Sequence, residues 1–559
     1  MTSANALIDT IRSNLIGDRT LIPTAFGEKP LIYADYTASG RSLNFIEDYI
    51  RQRVLPYYAN THTETSYTGA HTTALREQSR QIIRQAVNCT EEDQVIFCGP
   101  GATAAINKLI DILNLRLPAE LTKRYQLLEQ IPADQRPVVF IGGYEHHSNE
   151  LPWRESIADV EVIPLNQQGQ LDIRVLQQKL QEYQQRSLLI GSFSAASNVT
   201  GIKTDTNRVS ALLHQYGAMV LWDYAAAAPY VGIDMNSQSN HGDSSKDAVF
   251  ISPHKFVGGP GTPGILVVKK HLLTNSVPVA PGGGTVLYVT PEGHRFVDNH
   301  ELREEGGTPA IVESIRAGLV FKLQQDIGTD EIERKEEDFV KRALAYWQPF
   351  DNIEILGNTE VDRLSIMALR IKHQDKDLHY GFVVALLNDL FGIQARGGCS
   401  CAGPYGHSLL NMDMNYSKAL EAEIVKGRII LRPGWVRLNF NYFIDEENFT
   451  YLLKAVALIA EHGWRLLPYY CFDTTTGSWR YQNSSNQLTE NMSHLNFTAI
   501  PNEKPASVYQ GSLETHLFAA KRQLLKCRQG EQRHTLALPK SSEELRWFAL
   551  PQHIEITKK

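Results

Sequence analysis

The chain of 559 residues is too long for one ordinary hydrophobic core, and at roughly 150 residues per domain it has room for two to four. Hydrophobic residues at 42% and charged residues at 21% exclude a disordered or fibrous protein and point to a soluble globular one. A net charge of -7 argues against nucleic acid or an anionic membrane as the main partner, because both are gripped by concentrated Lys and Arg.

Residues 1 to 30 read as an N-terminal arm, with a short helix over Leu7 to Leu15 and a turn near Gly27 and Pro30. This start has no basic segment leading into an apolar stretch, and no run approaches the ~20 apolar residues of a membrane span, so a cytoplasmic protein is expected. The six cysteines (Cys89, Cys98, Cys399, Cys401, Cys471, Cys527) have no disulfide-framework spacing and fit a reducing compartment.

From 31 to 300, short apolar runs alternate with longer amphipathic segments, which predicts a large α/β domain around a mostly parallel sheet. The candidate strands are Gln94 to Cys98, Pro137 to Ile141, Val160 to Pro164, Ser187 to Ser192, Ala218 to Trp222, Ala248 to Ser252 and Gly264 to Val268. Each is short and almost wholly apolar, as strands buried on both faces should be. From 301 to 470, long helical stretches (Ile311 to Gln325, Ile332 to Trp347) and alternating strands (Ser365 to Ile371, Val436 to Asn441) predict a smaller α+β domain. Residues 471 to 559 form a polar extension of unknown role, with one helix-like segment from Ser512 to Gly530.

Several positions carry chemistry. Lys255 sits at the end of a buried strand, just before the turn Phe256-Val-Gly-Gly-Pro-Gly-Thr-Pro-Gly264, where desolvation favours the neutral amine. Asp223 ends another apolar strand, at the edge where open α/β sheets bind ligands. Phe97-Cys-Gly-Pro-Gly101-Ala-Thr103 is a strand, a glycine turn and a helix start, a place where backbone N–H groups cradle phosphate. Taken singly, each has a plainer reading: a surface lysine, a helix N-cap, an ordinary glycine turn. The pair His146 and His147 lies in Tyr144-Glu-His146-His147-Ser-Asn-Glu-Leu-Pro-Trp153; without HExxH or CxxC spacing no metal site is expected.

Taken in order, these segments resemble the class V aminotransferase group of fold-type I pyridoxal 5′-phosphate enzymes, and specifically its cysteine desulfurase and selenocysteine lyase branch. The resemblance runs from about Tyr33 to Leu467 and does not cover the extension. It implies Lys255 as the Schiff-base lysine, Asp223 as partner of the cofactor's ring nitrogen and His146 stacked on its face. It also places Ala102, Thr103, Ser252 and His254 around the phosphate, and Thr308, in Gly307-Thr308-Pro309, at the phosphate of the other subunit of a homodimer.

For the substrate, an amino acid with L-cysteine foremost, the resemblance points to Arg437 and Asn198 at the carboxylate. The loop Ile393-Gln-Ala-Arg396-Gly-Gly-Cys399-Ser-Cys401-Ala-Gly-Pro404 resembles the desulfurase loop, with Cys401 on the nucleophile's position and Arg396 five residues before it. The implied reaction gives L-alanine and a persulfide on Cys401, to be passed to a sulfur-acceptor protein.

Three positions depart from the family pattern: Ala226 replaces the usual glutamine or histidine, and Cys399-Ser400 replaces two histidines. The segments Tyr33 to Gly40 and Asn60 to Ser66 also resemble the desulfurase-like part of molybdenum cofactor sulfurases. A C–S lyase, epimerase or aminotransferase on the same cofactor, or a non-catalytic scaffold, are the alternatives.

Overall fold

A computed structural model describes residues 3–61, 63–482, 492–498, 506–526, 528 and 532–555. His62 and Cys527 lie outside the described residues, as do the last two residues of the helix expected from Ser512 to Gly530.

All seven strands predicted for the large domain form and lie in one sheet. They are β1 (Asp93–Phe97), β2 (Val138–Gly142), β3 (Asp159–Ile163), β4 (Leu189–Ser194), β5 (Met219–Asp223), β6 (Ala248–Ile251) and β7 (Ile265–Lys269). Their order across the sheet is β1-β7-β6-β5-β4-β2-β3. The neighbours from β6 to β3 are parallel, and β7 runs antiparallel to both β6 and β1. Every residue of β2, β4 and β6 is buried. Alternate side chains feed two cores: Val138 and Phe140 enter one, Val139 and Ile141 the other. That two-faced burial is why the strands read as continuous apolar runs.

Helix α1 (Ser3–Asn14) covers the N-terminal arm, and α2 (Tyr67–Ala86) flanks the sheet. Helix α3 (Gly101–Ile112) follows β1 and packs Ala105, Ile106 and Leu109 on the second face. The next long helix, α4 (Ile311–Ile327), buries Ile311, Ile315, Val320 and Phe321 in the large sheet's core, although its sequence stands with the second unit. Its Gly318 lies so close to Ser79 of α2 that an added Cβ would meet Ser79 Cα at 2.6 Å.

Most buried residues from Phe339 onward, together with Ile32 and Ala34, build a second core, while others such as Ile332, Ile366 and Trp435 pack into the first. Helix α5 (Thr329–Trp347) and the antiparallel strands β8 (Ile353–Ile355), β9 (Ile366–His373), β10 (Arg396–Gly398) and β11 (Trp435–Asn439) form it, in the order β8-β9-β11-β10. The pair Lys376–Asp377 adds to β9. Helices α6 (Tyr380–Phe391), α7 (Gly403–Leu409), α8 (Met414–Val425) and α9 (Glu446–His462) surround this sheet. The extension joins the same core through the hairpin of β12 (Tyr470–Asp473) and β13 (Ser478–Tyr481), through α10 (Glu514–Leu525) and through Phe548 to Leu550. Among the described residues no helix is long and apolar enough to cross a membrane.

Candidate active site

The C-terminal ends of β1, β2, β4, β5 and β6 point to one edge of the large sheet, and β10 and β11 of the smaller domain face that edge. Between them lies a cavity of about 250 Å³ lined by Ala102, Thr103, His146, Asn198, Asp223, Ser252, His254, Lys255, Arg396, Cys401 and Arg437. These are all the site residues expected from the sequence except Thr308. Thr308 is exposed elsewhere, where its hydroxyl accepts a hydrogen bond from Asn60 Nδ2 at 3.3 Å.

The lysine follows β6 in a single 3-10 turn, Pro253–Lys255. Burial lowers its pKa to about 8, as do Arg437 and Arg396, against the pull of Asp223. At neutral pH a usable fraction of Lys255 is therefore free amine. Asp223, the last residue of β5, has its carboxylate raised by burial, while the Ala225 N–H, donating to Oδ1 at 2.8 Å, and Lys255 oppose that rise.

Two histidines face the same space. Burial and the neighbouring Lys255 bring His146 and His254 each down to about 4, so both are neutral at pH 7. His146 Nδ1 accepts from the Ser148 N–H at 3.1 Å, which leaves the proton on Nε2. Ser148 Oγ bonds Nδ1 at 3.0 Å and Thr103 Oγ1 at 2.7 Å, linking the histidine loop to the first turn of α3. Ser148 also lines the cavity, a role that its place beside the two histidines did not reveal. Under the histidine loop, Glu145 is fully buried and accepts from Ser194 Oγ at 2.6 Å and Asn149 Nδ2 at 2.9 Å. Burial raises its pKa to about 7.

At the start of α3, Gly101 has φ +59°, and a Cβ there would meet Ser252 Oγ at 2.9 Å and His254 Cε1 at 3.0 Å. The Ala102 N–H donates to Ser252 Oγ at 2.9 Å. Glycine thus lets a helix N-terminus, two hydroxyls and a neutral histidine converge, a setting suited to a phosphate.

Asp35, which the sequence did not single out, joins the two arginines. One carboxylate oxygen accepts from Arg396 Nε at 2.9 Å, the other from Arg437 Nη2 at 3.1 Å. Arg437 also donates through Nη1 to the Asn198 carbonyl at 3.1 Å. Its Nε, with Thr37 Oγ1 and Ser400 Oγ, is buried without a protein partner in residues that line the cavity. Ala226 presents only a methyl to the same wall.

The cysteine loop follows β10. Cys399 to Ala402 form a turn closed by the Ala402 N–H donating to Cys399 O at 3.1 Å, with Ser400 and Cys401 both left-handed (φ +54° and +56°). Three bonds tie this turn to the large domain. Asn198 Nδ2 donates to Ser400 O at 2.8 Å, the His147 N–H to Cys401 O at 2.8 Å, and the Gly403 N–H to His147 Nε2 at 3.0 Å. Cys401 is exposed at the mouth of the cavity, while Cys399 is half-buried. No group of three or more His, Cys, Asp or Glu among the described residues is placed to hold a metal ion.

The sequence pattern of class-V aminotransferases matches residues 32–448, three quarters of the chain. The chain belongs to that family, on its cysteine desulfurase-like branch. A probable cysteine desulfurase of Staphylococcus aureus (strain Mu50) is 26% identical over 400 residues, covering 70% of this chain and 88% of the relative. One from Halalkalibacterium halodurans is 28% identical over 383 residues, covering 67% and 85%. The apo cysteine desulfurase of Thermococcus onnurineus NA1 shares the fold, with a TM-score of 0.64 at 20% identity over 81% of this chain and 98% of that one. The desulfurase CsdA of Escherichia coli gives a TM-score of 0.61 at 20% identity over the same shares. This class-V member thus has the fold-type I architecture of pyridoxal phosphate enzymes, and the matched region stops short of the extension.

The class-V cofactor fits the site. A buried carboxylate, a desolvated lysine and a glycine-opened helix start share one cavity with three buried polar atoms that lack protein partners.

Proposed function

We propose that the chain is a pyridoxal 5′-phosphate-dependent cysteine desulfurase that takes sulfur from L-cysteine onto Cys401 and releases L-alanine. The observation that carries this reading is the meeting, at one cavity, of Lys255, Asp223 and Arg437 with an exposed thiol on a loop latched from the other domain.

Ala102, Thr103, Ser252 and His254 hold the cofactor phosphate, His146 covers the ring, and Asp223 pairs with the ring nitrogen. When bound, the cofactor supplies an electron sink for the α-carbon of the amino acid. Arg437, in the cavity wall, pairs with the substrate carboxylate, the plane of its guanidinium fixed by the Asn198 carbonyl and Asp35. Lys255, already partly neutral near pH 7, moves the α-proton. The Cys401 thiolate, with Arg396 at the base of its loop, attacks the substrate sulfur. The sulfur leaves carbon as the outer atom of a Cys401 persulfide, and the exposed position of Cys401 offers it to an acceptor thiol. Thr308, remote from its own cavity, serves the partner subunit's phosphate in a homodimer.

Pure protein incubated with cofactor and L-cysteine will form alanine and a persulfide on Cys401, both lost in Cys401→Ala. Pyruvate and ammonia as the main products would instead identify a C–S lyase.

A further inference from the structure

The matched family region ends at residue 448, inside α9, yet the polypeptide after it does not stand apart. Trp479, Leu513, Leu517, Leu524, Phe548 and Ile554 are all buried in the core of the smaller domain. The segment Trp547 to Ala549 runs beside Asp377: the Asp377 N–H donates to Trp547 O at 3.2 Å and the Ala549 N–H to Asp377 O at 2.8 Å. The Trp547 indole then lies nearly parallel to two rings at the start of α6, Tyr380 (centroids 6.0 Å, 12°) and His379 (5.2 Å, 23°). Its Nε1 donates to Leu431 O at 3.1 Å.

His379 is locked from several sides. Its Nδ1 accepts from Trp479 Nε1 at 3.1 Å and from the Gly381 N–H at 3.0 Å, and its Nε2 donates to Ile430 O at 3.1 Å. The Tyr380 ring lies against two glycines. A Cβ added at Gly397 would meet Tyr380 Cδ2 at 2.7 Å, and one at Gly434 would meet Cε1 at 2.8 Å. Gly397 is the middle residue of β10, two positions before the turn that carries Cys401. A continuous packed path therefore runs from the extension, through two stacked rings, to the backbone of the strand that launches the cysteine loop.

We propose that Trp547 is a positioning residue for the cysteine loop: it holds the Tyr380 ring against Gly397 and Gly434 and so sets where Cys401 stands over the cavity. The proposal deepens the desulfurase reading and rests on it for the role of Cys401. Trp547 touches neither substrate nor cofactor, so its loss acts on the thiol and not on cofactor capture.

The test compares cofactor-loaded wild type, Trp547→Ala, Trp547→Phe and Gly397→Ala in the full chain. Two readouts are followed: the rate at which iodoacetamide alkylates Cys401, located by peptide mass spectrometry, and steady-state alanine formation. In Trp547→Ala we expect the alkylation rate to change at least about fivefold and kcat to fall about tenfold, with KM and visible cofactor absorbance unchanged. Trp547→Phe, which keeps a stacking ring, stays within about twofold of wild type. Gly397→Ala pushes on the ring from the loop side with the extension intact, and reproduces the change in Cys401 reactivity even if Trp547→Ala does not fold.

Wild-type alkylation and kcat in Trp547→Ala would overturn the proposal. So would equal loss of melting temperature and absorbance in Trp547→Ala and Trp547→Phe, or unchanged Cys401 reactivity in Gly397→Ala. Absence of alanine from the wild type would overturn the desulfurase reading alone, since the alkylation rates still decide whether Trp547 positions Cys401.

Discussion

Half-buried Asp35 and buried Arg437 form an ion pair at 3.1 Å, and the other oxygen of the same carboxylate holds Arg396. Asp35 holds Nη2 of the Arg437 guanidinium and so fixes its plane, which under the proposed reading preorganises it for a substrate carboxylate. Asp35→Ala removes that orientation and leaves Arg437 buried without a counter-charge. The expected result is a rise of about tenfold in KM for L-cysteine, worth about 1.4 kcal/mol, with kcat changed little. Initial-rate measurement of alanine across cysteine concentrations checks it; a fall in kcat at constant KM would contradict it.

Gly101 predicts a different kind of loss. Alanine there must take a left-handed φ, at ~1–2 kcal/mol, and drive its methyl toward Ser252 Oγ and His254. Gly101→Ala should weaken cofactor binding by about tenfold or more, read from a titration of apoprotein with pyridoxal phosphate by visible absorbance. Affinity equal to wild type would remove the glycine-opened helix start from the phosphate site.

The lowered pKa of Lys255 makes a statement about pH. The unfolded chain keeps this proton up to about 10.4, while the folded chain releases it near 8, so between those values the unfolded state binds more protons. Stability contributed by this group therefore rises with pH across that window. Apoprotein should gain on Lys255→Met as pH climbs from 7 to 10, followed by urea unfolding at each pH. A difference independent of pH would mean that Lys255 is not desolvated.

Glu305 should matter for the sheet that carries the site. It pairs with Arg80 at 3.0 Å and with Arg76, and accepts from the Phe97 N–H of edge strand β1 at 2.7 Å. Burial alone would raise its pKa, but Arg80 and Arg76 outweigh burial and hold it below the usual value. Its contribution is therefore present above the ordinary glutamate pKa and is lost as pH falls through the lower folded value. Glu305→Gln leaves two buried guanidinium groups short of a partner and should cost ~3–5 kcal/mol, measured by denaturant unfolding at pH 7. A loss below ~1 kcal/mol would mean that water or other groups compensate.

The sheet was legible because its strands are buried on both faces, and β1 to β7 fall within two residues of the apolar runs in the sequence. Lys255, Asp223 and the Gly101 to Thr103 turn were legible because strand ends and a glycine turn mark one edge of such a sheet, whereas His146, Asn198, Ser252, His254, Arg396, Cys401 and Arg437 were reached through the resemblance of their segments to the class V family. Other features had no local signal. Asp35 meets Arg396 and Arg437 only through tertiary folding, and each is an ordinary charged residue in its own segment. The large-sheet packing of α4 was hidden because a helix buried nearly all round does not announce which core it enters. Trp547 and Phe548 lie in a short stretch without helical or strand periodicity, so their insertion beside Asp377 could not be read from spacing.

That insertion bears on the order in which the molecule can be made. The core beneath the cysteine loop is closed by side chains from residues 513 to 554, far behind the loop in the direction of synthesis. A nascent chain that has released β10 and the Cys399 to Ala402 turn still lacks the indole that backs Tyr380. The large sheet can therefore collapse early, while the core beneath the cysteine loop is completed only after residues 513 to 554 have left the ribosome.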